Sequence, residues 1–322
     1  MPHPDDEFHP PTSDDPYWTE TSWFTFTVPE RGLSGQLYPF FRPNQGITSG
    51  GAYFWDASGD QPWNCRYAKN FWHLPVPDQP LSDIALPNGI RYRCVEPQQK
   101  YEIGYTDPDG DLIDVDLVFD AVSRPNYLGE SHLDQPGRYT GTVRLGDDVI
   151  EVDSFGFRDR SWSVRSQFGP GLAGSPAPRG GYSYATASAD DGFHMISMDF
   201  TPGPVGEGDC IAIHGYLSRG GEWAKVTSGR RDVLARDAAT GAPTRVRIEG
   251  TDELERSFVA EGECLNKIGI HLNPNLFTWN CLTRWELDGL ECWGEDHDNW
   301  SAPAATEFFR RHLFGESSVL SS

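Results

Sequence analysis

The chain has little positive charge. Its 322 residues include 26 Lys and Arg against 48 Asp and Glu, which gives a formal net charge of −22 at pH 7. Nucleic acids and anionic membrane surfaces attract proteins through basic patches. An acidic excess of this size therefore disfavours both kinds of partner. The composition therefore predicts a well-solvated protein that does not bind nucleic acid.

Long apolar runs are missing as well. No stretch approaches the roughly 18–20 apolar residues that cross a bilayer as a helix, so we predict no stable membrane insertion. Residues 1–16 are acidic and rich in proline, and they lack the basic start and apolar segment of a secretory signal peptide. We expect these residues to form a disordered tail, and we expect a cytoplasmic location.

Cysteine pairs and catalytic cofactor motifs are also lacking. The six cysteines form no C-x-x-C pair, so we predict free and mostly buried thiols and no metal site. The sequence has no G-x-S-x-G elbow, no H-E-x-x-H and no P-loop, and it shows no βαβ rhythm. Cofactor-independent chemistry, driven by an acid and by positioning, fits these absences better than redox or phosphoryl transfer.

Aromatic and β-branched residues are plentiful. The chain contains 11 Trp, 12 Tyr and 18 Phe, and short runs such as residues 21–28 (TSWFTFTV) alternate with turn signals. The one helical pattern is residues 306–313 (TEFFRRHL). Residues 166–181 contain five Gly and three Pro, the composition of a domain boundary. We predict an all-β chain with a domain at 17–170, a linker at 171–181, and a second domain at 182–322 that ends in a short helix.

The most unusual stretch is residues 149–165 (VIEVDSFGFRDRSWSVR), which follow a turn at residues 146–148 and an earlier strand-like run. Together they predict a β-hairpin. Strand side chains alternate between two faces, which places three residues on each: Phe155, Phe157 and Asp159 on one, and Arg158, Arg160 and Trp162 on the other. Because Ile150 and Val152 are in the opposite register from the two phenylalanines, we expect a bulge near residues 153–154.

Asp159 is a candidate general acid. A carboxyl group in line with two phenylalanines loses water if that face is the interior, and its pKa then rises. The alternative is a structural ion pair between Asp159 and one of the neighbouring arginines, which would tie down a loop.

His132 and Asp134 are two residues apart in residues 125–137, which we expect to be a loop leading into the hairpin. They are either site residues or an Asx-type turn with a surface histidine. His73, beside Phe71 and Trp72, is either a packed histidine or a site residue. In the run 295–298 (EDHD), side chains should splay to both faces of a strand, which makes a poor metal site.

The run Gly156-Phe157-Arg158-Asp159-Arg160-Ser161-Trp162, with His132, Asp134-Gln135 and Gly137-Arg138 upstream, resembles the carotenoid 1,2-hydratase (hydroxyneurosporene synthase)/AttH-like family. The resemblance covers most of the chain from about Tyr17 onward. It implies two lipocalin-like (calycin-type) antiparallel β-barrel domains side by side. The sequence departs from the family pattern at Ser163, where a glycine is expected.

The resemblance also implies a cofactor-independent lyase or isomerase, of hydratase or dehydratase type, acting on a small hydrophobic isoprenoid or steroid-like substrate. Asp159 would be the acid, His132 would position or activate water, and Asp134 would orient His132. Six further residues are candidates for substrate binding: Trp162, Tyr53, Trp55, Phe157, Arg160 and His73. Aromatic rings among them could stabilise developing positive charge.

Two other functions stay open. One is a non-catalytic carrier of a hydrophobic metabolite, which would have an interior without ionisable groups. The other is a cyclase or pericyclase that folds a polyene and needs shape more than an acid. The oligomeric state, the substrate and the direction of reaction do not follow from the sequence.

Overall fold

The chain folds into two compact units, residues 1–165 and 166–322. The computed structural model describes residues 3–165, 171–172, 175–200, 206, 208–273 and 275–315. No helix within these ranges is long and apolar enough to cross a membrane. The six cysteines are free thiols, and three of them are buried.

Eleven strands and three short 3-10 helices make up the first unit. The strands are β1 (Trp18–Val28), β2 (Leu33–Arg42), β3 (Ile47–Trp55), β4 (Tyr67–Pro75), β5 (Asp83–Ala85), β6 (Ile90–Glu96), β7 (Lys100–Thr106), β8 (Ile113–Ala121), β9 (Asn126–Tyr127), β10 (His132–Leu145) and β11 (Asp148–Val164). The 3-10 helices are Pro4–Asp6, Pro29–Arg31 and Pro43–Gln45.

The second unit contains the remaining strands and the α-helix. They are β12 (Gly171–Leu172), β13 (Ser175–Pro176), β14 (Arg179–Thr186), β15 (Gly192–Asp199), β16 (Cys210–Arg219), β17 (Glu222–Arg236), β18 (Pro243–Asp252), β19 (Ser257–Cys264), β20 (Ile268–Asn273), β21 (Leu276–Leu287), β22 (Leu290–Ser301) and α1 (Ala302–Phe314). Strands dominate both units, which confirms the predicted all-β class with a short C-terminal helix.

The two sheets close to different extents. In the second unit the order β19-β18-β17-β16-β15-β14-β22-β21 is completed by pairing of β19 with β21, so eight antiparallel strands form a closed barrel. In the first unit the order β4-β3-β2-β1-β11-β10-β8-β7-β6-β5 ends in two edges and curls into a half-barrel. The concave side of this sheet holds an apolar core that includes Phe24, Phe119 and Tyr139.

The β10–β11 hairpin forms as predicted, but without the expected bulge. Its pairing runs without a register shift from His132–Ser161 to Leu145–Asp148. Ile150 and Val152 lie in the core, and Phe157 points to the opposite face, where it is also fully buried. The change of apolar register therefore reflects a strand that is buried first on one face and then on both.

The N-terminal segment is ordered over residues 3–9, contrary to the predicted disordered tail. Asp6 is 3% exposed, and its Oδ1 lies 2.8 Å from Nη2 of Arg158. The same oxygen accepts a hydrogen bond from the Tyr101 hydroxyl at 2.5 Å, and the Gln98 backbone N–H donates to Oδ2 at 2.9 Å. The prediction from composition was wrong because Asp6, an acidic residue of the type expected in a solvated tail, is the counterion of the buried Arg158.

A second ion pair anchors the same segment. Arg160 pairs with Glu20 on β1, and both side chains are almost completely buried. The Nδ1 of His9 lies 2.9 Å from Oε1 of Glu20, and the His9 ring stacks on Trp162 with centroids 4.0 Å apart. The N-terminal segment thus covers the arginine-bearing face of β11.

The predicted linker at 171–181 also differs from the structure. Residues 171–172 pair with residues 175–176, and β14 begins at Arg179. Residues 166–170 and 173–174 of the expected boundary region, and the polar tail after residue 315, lie outside the described residues. Glycine and proline marked the end of the first unit but not the start of the next strand.

The interior of the second barrel contains ionised side chains. Arg231 donates two hydrogen bonds to Asp296, at 2.8 and 2.6 Å, and one to Asp298 at 3.2 Å. Arg236 donates to the other oxygen of Asp298 at 2.7 Å. These residues are buried, and the charges of Arg236 and Arg231 hold the pKa of Asp298 well below its ordinary value although burial opposes this.

Replacing Asp6 by alanine should destabilise the first unit. The change leaves the buried Arg158 guanidinium without a carboxylate, which costs about 3 kcal/mol of unfolding free energy. Urea denaturation followed by tryptophan fluorescence measures the loss. The matched control is Asp14→Ala, because Asp14 belongs to the same segment but is exposed. Equal stability of the two variants would contradict the anchoring role of Asp6.

Candidate active site

A polar cluster lies on the face of the first sheet that points away from the apolar core. On β11 the core residues Ile150 and Val152 fix the direction of alternation, so Asp159 and Ser161 point to the other face. The adjacent strand β10 places Asp134 opposite Asp159 and His132 opposite Ser161. On the far side, β1 places Trp23 opposite Asp159 and Thr21 opposite Ser161. Residues distant in sequence thus form two cross-strand rows.

His132 and Asp134 form a hydrogen-bonded pair. They lie two apart on a strand rather than in the expected loop, which puts both side chains on one face. Nε2 of His132 is 2.8 Å from Oδ2 of Asp134. Its Nδ1 is 3.3 Å from Oγ of Ser161 and 3.7 Å from Oδ2 of Asp159. The predicted catalytic residues Asp159, His132 and Asp134 therefore meet.

The electrostatics of this trio favour bound protons. Burial alone would lower the pKa of His132, but the carboxylates of Asp134 and Asp159 outweigh it and raise that pKa to about 9. Burial raises the pKa of Asp159, and the nearby Asp134 adds to the effect while the positive charges of His132 and Arg165 oppose it. The pKa shifts of His132 and Asp159 therefore have the same direction: each group holds its proton to a higher pH than it would in water.

One oxygen of Asp159 is available for chemistry. The residue is 7% exposed, and its Oδ1 accepts no hydrogen bond from any residue in the described part of the chain. Buried carboxyl oxygens are normally hydrogen-bonded, so an exception at the centre of a titratable cluster is a sign of function. The predicted alternative was a structural ion pair of Asp159 with a neighbouring arginine. Arg158 and Arg160 pair with Asp6 and Glu20 instead, and Arg165 acts on Asp159 only from beyond ion-pair distance.

Sequence reasoning missed several members of this face. Ser161 could have been found, since it continues the alternation of Phe157 and Asp159. Tyr38 on β2 and Arg165 after β11 gave no local signal, because only the strand order brings them to the cluster. Arg165 donates a hydrogen bond to Ser161, and Tyr38 lies beside Arg165 and Thr21.

Three of the predicted substrate-binding residues lie on the same face as Asp159. Phe157 is fully buried in β11, next to Asp159 in the alternation. Tyr53 and Trp55 lie on β3, and their pairing through Gln36 and Ser34 on β2 places them on this face, three strands from β11. Both are buried, and burial raises the pKa of Tyr53 to about 12. They extend an apolar surface beside the polar cluster.

The other three candidates do not join the cluster. Arg160 and Trp162 point to the opposite face of β11, where Arg160 is neutralised by Glu20 and Trp162 is covered by His9. Alternation along the strand makes this unavoidable. His73 is exposed on the edge strand β4, has a backbone φ of 58°, and contacts Trp72 and Ser49. The ring beside Asp159 is Trp23, not Trp162.

A cation could reach the trio only by displacing hydrogen bonds. One donor atom each from His132, Asp134 and Asp159 lies within 4.8 Å of the others. However, both ring nitrogens of His132 are engaged, with Asp134 and Ser161. Metal binding would break one of these contacts, so the prediction of no metal stays a prediction.

The second unit has a titratable face of its own. Along β22 the side chains splay as predicted, with Asp296 and Asp298 in the barrel interior and Glu295 and His297 on the opposite face. Nε2 of His297 is 3.0 Å from Oε2 of Glu295. His194 and His214 lie on that same outer face, with ring centroids 5.7 Å apart. The sequence gave no signal for these two histidines.

Replacing Asp134 by asparagine should lower the pKa of His132 from about 9. The change removes the anion whose charge and hydrogen bond favour the imidazolium, while burial continues to oppose it. Between pH 6.5 and about 9 the folded chain holds a proton that the unfolded chain releases, so this group's contribution to stability is lost as pH rises. NMR titration of the imidazole resonance checks the shift. Asp153→Asn is the control, because Asp153 is exposed and paired with Arg138; an unmoved His132 titration in Asp134→Asn would refute the assignment.

Comparison with solved structures shows which fold this is. A candidate AttH of Nitrosomonas europaea superposes with a TM-score of 0.66 at 13% identity, covering 94% of this chain and 96% of that chain. Kievitone hydratase of Nectria haematococca gives a TM-score of 0.55 at 8% identity, covering 89% of this chain and 90% of that chain. CghA gives 0.54 at 12% identity over 89% of this chain and 88% of that one. The fold is therefore AttH-like, as the sequence resemblance implied, whereas a carotenoid-specific role stays a prediction.

Sequence comparison places the chain in a family. No curated protein sequence matches it. A family model described as a domain of unknown function, DUF7064, matches residues 2–301, which is nearly the whole chain. The chain is a member of the DUF7064 family.

Proposed function

We propose that the protein is a cofactor-independent hydro-lyase of hydratase or dehydratase type, with Asp159 as the general acid. The observation that carries the proposal is the state of Asp159: a buried carboxyl group with a raised pKa and one oxygen that no described residue engages. A protonated carboxyl group with a free oxygen is suited to give a proton to an apolar substrate.

In the hydration direction, Asp159 transfers its proton to one carbon of an alkene, and the π electrons form the new C–H bond. The other carbon becomes cationic, and water adds to it through an oxygen lone pair. The bound water then returns a proton to the Asp159 carboxylate, which restores the acid and leaves an alcohol. Dehydration is the reverse sequence, and no oxidant, reductant or cofactor is consumed.

His132 and Asp134 support the acid rather than replace it. When Asp159 gives up its proton, the resulting carboxylate lies 3.7 Å from Nδ1 of the His132 imidazolium, which stabilises it. Asp134 holds His132 in place through Nε2 and keeps it charged. To position the attacking water through Nδ1, His132 must give up its contact with Ser161. Trp23, opposite Asp159 on β1, would present its ring to the developing cation.

The structural neighbours support the reaction class. One of them is named kievitone hydratase, and a second is a candidate AttH. At 8–13% identity the structural similarity shows the fold alone. The proposal of acid–base catalysis therefore rests on the residues of this chain. The isoprenoid or steroid-like substrate implied by the resemblance remains part of the proposal.

The carrier alternative is less well supported. A carrier of the lipocalin type needs an interior free of ionised groups. The core face of the first sheet holds Arg158 and Arg160 with their counterions, and the second barrel holds Arg231 with Asp296. Charged networks in both interiors do not match an apolar container. In the part of the chain that the structure describes, no specific contact favours the cyclase or pericyclase alternative.

Asp159→Asn should abolish turnover while leaving substrate binding nearly unchanged. Asparagine has the same shape but no acidic proton, and loss of general acid catalysis costs on the order of 10²- to 10⁴-fold in kcat. Kievitone and terpenoid alkenes are the starting probes, with mass spectrometry of the gain or loss of one water. The control variant is Asp153→Asn, an exposed aspartate of the same strand. Full turnover by Asp159→Asn on any accepted substrate would rule Asp159 out as the acid.

A further inference from the structure

Arg165 differs from the other arginines of the central stretch. Arg158 and Arg160 each pair with a buried carboxylate. Arg165, which directly follows β11, is only partly exposed, yet no carboxylate in the described part of the chain lies within ion-pair distance of it. Its backbone N–H donates to the Tyr17 carbonyl at 3.1 Å, which holds the chain here, and its guanidinium donates to Oγ of Ser161. A guanidinium has five N–H donors, more than its contacts with the described residues use.

Tyr38 adds a second hydroxyl group, besides that of Ser161, close to Arg165. It lies beside Arg165 and Thr21, and its ring centroid lies 4.3 Å from that of Phe40 and 6.0 Å from that of Trp23. Burial raises the pKa of Tyr38 to about 12 although the charge of Arg165 opposes this, so the phenol stays neutral and does not serve as a counterion. Arg165, Ser161 and Tyr38 therefore bring a positive charge and hydroxyl groups to the face that carries Asp159.

A partly buried cation that has no carboxylate at ion-pair distance among the described residues is stabilised by a ligand that supplies a negative charge. A pure hydrocarbon substrate would cover Arg165 and Tyr38 without satisfying their hydrogen bonds, which costs binding energy. An oxygen that carries partial or full negative charge would satisfy them, and bonds of that kind to arginine are the stronger ones. The aromatic neighbours Phe40 and Trp23 suit the apolar remainder of such a ligand.

We propose that the substrate is not a plain hydrocarbon but carries an acidic hydroxyl group, a phenol or an enol, which is bound by Arg165 with Ser161 and Tyr38. This inference deepens the proposed function and rests on it for the identity of the site. The oxygen group anchors one end of the substrate on Arg165, and Asp159 acts on an alkene or alcohol in its apolar part.

The test compares two probes that differ in one hydroxyl group, 4-phenylphenol and biphenyl, by equilibrium dialysis against the full chain. We expect the phenol to bind at least about tenfold more tightly, because a hydrogen bond to a charged group is the only difference. Arg165→Met should remove this preference and leave biphenyl binding unchanged, and Arg165→Lys, which retains the charge, should restore part of it.

The matched control is Arg91→Met, since Arg91 is exposed and its guanidinium contacts Thr106. Equal binding of the two probes to the unchanged protein, or a preference for the phenol that survives in Arg165→Met, would overturn the inference. Asp159→Asn separates this inference from the proposed reaction, because it should keep the preference for the phenol and lose turnover. If Asp159→Asn retains normal substrate turnover while Arg165→Met loses the preference for the phenol, Asp159 is not the acid. The oxygen-binding role of Arg165 then stands by itself.

Discussion

The first unit depends on β11 being buried on both faces. Its core side carries Arg158 and Arg160, which are stable there only because Asp6 and Glu20 neutralise them. Its other side carries Asp159 and Ser161. The ion pairs on one side fix the strand in position and register, and the titratable cluster on the other side inherits that rigidity. A site built on a strand held in this way can keep its donor and acceptor atoms in place without a metal.

Both units bury charged side chains on the core face of their last strand, but these side chains are cations in the first unit and anions in the second. In the first unit the strand supplies the cations and the acids come from β1 and the N-terminal segment. In the second unit β22 supplies Asp296 and Asp298, and the cations come from β17. The two last strands are therefore not copies of one site, because Asp159 points away from the core of its unit whereas Asp296 and Asp298 point inward.

The sequence indicated much of the fold and the centre of the site. Alternation and turn residues sufficed for the hairpin, and the resemblance identified Asp159, His132 and Asp134. Arg165 and Tyr38 could not be found in this way, because their proximity depends on the order β2-β1-β11-β10, and strand order is a long-range property. Arg160 and Trp162 do not join the cluster for a simpler reason: they lie on the strand at positions of the opposite parity from Asp159. The N-terminal segment was misjudged because composition does not reveal a specific counterion.

The pairing of Asp6 with Arg158 spans 152 residues, and β1 pairs with β11 over a similar separation. Contacts this distant in sequence form slowly, since a long loop must close before they stabilise anything. During synthesis, β1 and the N-terminal segment leave the ribosome well before their partners exist. Until β11 emerges, the apolar side of β1 and its edge are without their native neighbours, and the chain at that stage is open to wrong pairing. We therefore expect the acid–base cluster to assemble among the last events in folding of the first unit, since every member of it lies on β11 or on a strand that pairs with β11.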